Sequence, residues 1–197
     1  MKSSSLFQLG GAAILIAAIL YAIANLAYFL GGQPDAPTAL GLWLSFSGDT
    51  LLLLGLGALY ARQSHRAGIL GLVGYVLMFV ATMFFIGNYA VSLGMAAGAI
   101  SNEQIAQVPA YSLSNMVTPW LWFAGLIVFG ISIYRAQVFP KYAGVLLILL
   151  ALVQQLTGPL AFTRPIFAIL SSVAFGWLGW ALLTHRSVAT REPVPAM

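Results

Sequence analysis

Of the chain's 197 residues, 61% are apolar and only 6% are charged, far from the balance of a soluble domain, where about a quarter of residues carry charge. Eight Lys and Arg against four Asp and Glu leave a net charge of +4, but these bases sit in short turns between apolar runs. The excess therefore marks membrane topology, and no nucleic-acid partner is expected. With no cysteine in the chain, disulfides, thiolate nucleophiles, iron–sulfur clusters and Cys-ligated zinc are excluded.

A hydrocarbon core about 30 Å thick takes about 20 apolar residues per helix. Uncharged stretches of that length predict spans at 6–30, 40–61, 67–91, 115–134, 142–160 and 165–184. The expected fold is all-α: a polytopic transmembrane bundle of about six helices in three up-down hairpins, forming one domain over 1–197. Lys2, the turn with Arg62 and Arg66, the turn with Arg135 and Lys141, and the tail at 185–197 with Arg186 and Arg191 alternate so as to share one side. Short loops rich in Lys and Arg stay cytoplasmic, so both termini are expected in the cytoplasm of a cell with a plasma (inner) membrane. Tyr60, Tyr134 and Tyr142 fit the cytoplasmic aromatic belt, and Tyr28, Tyr111 and Trp120 the outer one.

The first span opens like a signal peptide, with Lys2, an apolar run and an Ala22-Ile23-Ala24 triplet. The run continues to Leu30, long enough to cross, so the helix is expected to stay. The second span holds Asp49, the only acid within a span. From Leu40 it lies ten residues down, about 15 Å and near the midplane, with Ser45 one turn away on the same face. Gly68, Gly71 and Gly74 form a small-residue stripe on the third span, and Gly94 and Gly98 a small-xxx-small step near its end, as expected for close helix packing or a homodimer face. A loop over 98–114 carries Glu103 on the outer side. Pro119 and Pro165 are expected near helix starts, where a missing N–H costs little.

The turn after the fourth span resembles the one after the second. Gly57-Ala58-Leu59-Tyr60-Ala61-Arg62 leading to Arg66-Ala67-Gly68 parallels Gly130-Ile131-Ser132-Ile133-Tyr134-Arg135 leading to Lys141-Tyr142-Ala143-Gly144. This is either a duplicated hairpin or the joint product of the aromatic belt and the positive-inside rule. The stretch from Gly130 to Gly144, with its Tyr-Arg pair and its Pro140-Lys141-Tyr142-Ala143-Gly144 turn, also resembles a group of uncharacterised bacterial multi-pass membrane proteins with a domain of unknown function. The resemblance implies a bacterial inner membrane. It implies no activity and transfers no functional residue.

Polar residues are costly inside a bilayer and tend to have a use. Asp49 reads either as a proton or cation site or as a protonated acid bonded between helices. Asn25, Asn88, Asn115, Thr118, Gln154, Gln155 and Arg164 fall in or near the outer half, so they outline either an outward-facing polar vestibule or interhelical hydrogen bonds. The candidate ligand or ion site is thus Asp49, Ser45, Asn25, Asn88, Asn115, Gln154, Gln155 and Arg164. His65 and His185 lack a carboxylate to orient them and read as interfacial bases, so no metal and no cofactor is expected. Ser45, Ser47, Ser171 and Ser172 have no intramembrane base, so no enzyme is expected. The reading favoured by the sequence is a non-catalytic accessory, packing or sensing subunit holding a lipid or small apolar ligand, in contact with the bilayer and with other membrane proteins or a second copy. The alternative is a small proton- or cation-linked transporter working through Asp49.

Overall fold

A computed structural model describes residues 3–30, 38–156 and 163–184. Lys2, Asp35, residues 157–160 of the fifth expected span and the tail at 185–197 lie outside the described residues. All regular structure among the described residues is helical: α1 (Ser3–Leu30), α2 (Ala39–Ala96), α3 (Asn102–Ala106), α4 (Pro109–Ala136), α5 (Lys141–Leu156) and α6 (Thr163–Thr184). The fold class read from the sequence is the one found.

α2 contains two expected spans. Its backbone breaks at Gly68, where φ is +57° and ψ is −154°, a conformation that a Cβ makes costly. Residues 39–67 and 69–96 then run antiparallel. Tyr60 and Tyr75, which a straight helix would hold about 22 Å apart, stack with ring centroids 4.9 Å apart and planes 13° from parallel. Gly68 was expected to pack in a stripe; it is the turn itself, and only Gly71 and Gly74 of that stripe pack a neighbour.

Those neighbours fix the order of the bundle. A Cβ at Gly55 would strike Ile14 of α1, one at Gly74 would lie 2.6 Å from the backbone N of Phe129 in α4, and one at Gly130 would lie 2.7 Å from the carbonyl O of Gly144 in α5. Gly11 and Gly179 bring α1 and α6 together in the same way. Going round, α1 meets the first half of α2, whose second half meets α4, then α5, then α6, which closes on α1. Each neighbour is antiparallel to the next, which gives the three up-down hairpins. Small residues allow this approach where no hydrophobic drive separates a helix partner from lipid.

Inside and outside are equally apolar. Phe129, Phe175, Leu52, Leu56 and Leu147 fill the centre, while Leu54, Ile69, Met116, Trp120 and Ile169 stand exposed on the perimeter. An apolar exterior on that scale requires an apolar solvent.

Several boundaries differ from expectation. The third span extends past Val91 to Ala96, and the fourth begins at Pro109 instead of Asn115. The segment at 98–114 is therefore not a plain loop: it holds α3, closed by a capping box between Ser101 and Gln104, and the first turn of α4. Pro109, not Pro119, takes the N-terminal position in which the ring is harmless; Pro119 lies inside α4. Gly98 lies beyond the end of α2 with φ +71°, so the Gly94 and Gly98 step packs no second helix.

Candidate functional site

The bundle holds a partly open cavity of about 290 Å³ beside Asp49. Every helix except the short α3 contributes to it. Tyr21 and Asn25 come from α1, Ser45, Asp49, Phe85 and Tyr89 from the two halves of α2, and Trp122 from α4. Leu150 and Gln154 come from α5, and Phe167, Ser171 and Phe175 from α6.

Asp49 is only 6% exposed, and the Tyr21 hydroxyl donates a hydrogen bond to its Oδ1. The geometry behind this bond starts at Gly48. A Cβ there would lie 3.0 Å from the Tyr21 ring, so glycine lets the ring lie flat on α2 with its hydroxyl at the next residue. The pair links α1 to α2 across 28 positions in sequence. Among the described residues no Lys, Arg or His lines the cavity beside it, so the contact that holds the carboxyl is a hydroxyl and not a counter-charge.

Around this polar point the wall is aromatic. Tyr21 meets Phe175 at 6.5 Å between centroids, Phe175 meets Trp122 at 6.0 Å, and Trp122 meets Phe85 edge-on at 5.8 Å. Rings from α1, α6, α4 and α2 thus form one connected row. Two polar side chains of the wall are turned back on their own helices: Asn25 Nδ2 donates to the Tyr21 carbonyl at 2.8 Å, and Ser171 Oγ donates to the Ala168 carbonyl at 2.9 Å. Gln154 Nε2 reaches the Pro119 carbonyl of α4 at 3.5 Å.

Of the eight residues singled out from the sequence, Asp49, Ser45, Asn25 and Gln154 come together on the cavity wall. Asn88 does not; its Oδ1 accepts from Ser114 Oγ at 2.9 Å, tying α2 to the start of α4. Asn115 and Gln155 are exposed and point away. Arg164 lies in the first turn of α6, and its side chain is outside the described residues. The expected vestibule is accordingly narrower in membership: these positions share a depth but not a helix face. Sequence reasoning missed Tyr21, Tyr89 and Trp122. The available signal was that Tyr21 lies mid-span, too deep for an interfacial belt, and on the same helical face as Asn25.

The fold and its apolar exterior define an α-helical membrane protein. Four helices are long and apolar enough to cross a membrane: Ser5–Ala27, Ala39–Ala96, Pro109–Ala136 and Pro165–Thr184. Lys141–Leu156 is a shorter apolar helix, whose expected continuation to 160 is outside the described residues. No family model matches the chain, and neither a curated protein nor a solved structure is found to be similar to it. The resemblance at Gly130 to Gly144 therefore gains no family behind it.

Proposed function

We propose that this protein is a non-catalytic membrane binding protein, an accessory or sensing subunit, whose bundle holds a small, mostly apolar ligand against Asp49. The observation that carries this reading is the cavity itself. Its volume, about 290 Å³, is just below the range of about 300–1,000 Å³ for small-molecule sites, which suits a small ligand, and its lining is of the same kind: a largely aromatic wall with a few convergent polar groups. Tyr21 and Asp49 would orient a polar end of the ligand, while Phe85, Trp122, Phe167 and Phe175 would cover its body. Ser45 and Ser171 are also on the wall, and among the described residues no His or Lys lines it to act as a base, which favours binding over acyl transfer.

In this reading the chain crosses a bacterial inner membrane six times, with the end bearing Arg62, Arg66, Arg135 and Lys141 in the cytoplasm, as the positive-inside rule orients it. The presence of Asp49 on the cavity wall also supports a second reading, transport linked to a proton or cation. Thermal unfolding in mild detergent separates the two. The purified protein and its Asp49→Asn variant are compared across a panel of small apolar amphiphiles, organic amines and alkali cations. Under the binding reading, amphiphiles raise the melting temperature and alkali cations do not. A shift with alkali cations that Asp49→Asn abolishes supports transport, and no shift with any compound removes the ligand reading.

A further inference from the structure

A second pocket, of about 250 Å³, opens at the basic end of the bundle. It lies between the turn at Gly68 and the last turns of α4, and its walls are Arg66, Ala67, Ile69, Leu70, Ser132 and Arg135. The left-handed backbone at Gly68 places residues on both sides of the turn around one opening. The two guanidinium groups come from helices that are distant in sequence. The described acids, Asp49 and Glu103, lie elsewhere: the first on the central cavity, the second on α3 beyond the opposite end of α2. No ion pair involves Arg66 or Arg135 among the described residues.

An independent observation points into the same pocket. Ser132 is 1% exposed, and its Oγ has no hydrogen-bond partner. Opposite it, a Cβ at Gly71 would lie 2.8 Å from that oxygen, so the glycine leaves the hydroxyl room. Buried polar groups are nearly always satisfied, so a hydroxyl with no partner in the protein calls for one from outside it, a water or a ligand.

We propose that this pocket binds an anionic phosphate group, with Arg66 and Arg135 as the paired cations and Ser132 as a third donor. Guanidinium forks match phosphate oxygens in geometry and charge. Basic pockets between helices at the cytoplasmic face are suited to lipid headgroups, and exposed Ile69 beside the opening offers an apolar surface for an acyl chain. The same chemistry would accept free phosphate, so the test separates the two.

The full chain is purified in mild detergent and titrated with phosphatidic acid, phosphatidylcholine and inorganic phosphate. Bound lipid is read by native mass spectrometry, and stability by thermal unfolding. The variants are Arg66→Gln/Arg135→Gln, Arg66→Lys/Arg135→Lys, Ser132→Ala, and Lys141→Gln as a base at the same end outside the pocket. The expected result is one phosphatidic acid per chain on the wild type and on Lys141→Gln. Retention should fall at least tenfold in the double Gln variant and to an intermediate level in the double Lys variant, which keeps the charge but loses the fork. Should the Gln variant not fold, the Lys and Ser132→Ala variants carry the comparison. Stabilisation by inorganic phosphate alone, lost in the same variants, keeps the phosphate site and assigns it to a soluble ligand. Equal binding by the double variants, an equal loss in Lys141→Gln, or phosphatidylcholine bound as well as phosphatidic acid overturns the proposal.

Discussion

Replacing Tyr21 by Phe removes one oxygen and nothing else, which makes it a sensitive probe of the central pair. Asp49 is 6% exposed and accepts a hydrogen bond from Tyr21. Tyr21→Phe therefore leaves a buried carboxyl without its partner, at a cost of about 1–2 kcal/mol. Asp49→Leu removes the acceptor at similar volume and leaves the Tyr21 hydroxyl without its partner in turn, at a similar cost. The double variant then loses less than the sum of the two, with a coupling of about 0.6 kcal/mol and no more than about 1.7 kcal/mol, the mean and the maximum found for hydrogen bonds between helices in membranes. Reversible unfolding in mixed micelles with increasing denaturing detergent gives the four free energies of the cycle. Additivity of the two changes to within about 0.3 kcal/mol would show that the hydroxyl and the carboxyl do not interact.

Three further outcomes are expected. Gly74→Ala places a methyl 2.6 Å from a backbone nitrogen of α4 and should destabilise by about 1–3 kcal/mol through overpacking, whereas Gly87→Ala, with open space around it, should be neutral or slightly stabilising in the same unfolding titration. Gly68→Ala meets no neighbour within 4 Å, so its loss, about 1–2 kcal/mol, should come from the positive φ alone; an unchanged midpoint would mean that the turn tolerates a side chain. Because the chain has no cysteine, His65→Cys and Gln104→Cys can each be labelled singly in intact cells. An impermeant maleimide should reach Gln104→Cys from outside and His65→Cys only after lysis, and the opposite pattern would invert the topology.

Hydropathy made the helices legible, because a span of about 20 uncharged residues has few other uses. The reversal between the second and third spans was legible from Arg62 and Arg66, but its position at Gly68 was not, since Ala67, Gly68 and Ile69 read equally well as the start of a helix. Counting from Leu40 puts Asp49 near the middle of its span, and it lies on the cavity wall together with Ser45, Asn25 and Gln154. Facing was not legible. These helices are apolar on all sides, lipid and core being alike, so no amphipathic stripe separates an inward Gln154 from an exposed Gln155. Asn88 and Asn115 were grouped with the site by depth, yet Asn88 is engaged by Ser114 and Asn115 is exposed. The aromatic wall is not legible because Tyr21, Phe85, Trp122, Phe167 and Phe175 sit in spans that are apolar on all sides, where an inward ring and a lipid-facing one read alike.

The claim that the cavity at Asp49 holds a ligand is tested most directly by equilibrium dialysis of the most stabilising amphiphile from the unfolding panel, against the wild type and a Ser171→Leu variant that fills the cavity from α6. The account predicts saturable binding of one molecule per chain to the wild type, weakened at least tenfold in the filled variant, about 1.4 kcal/mol. Equal binding by both proteins, or uptake that rises with detergent concentration and never saturates, would contradict it.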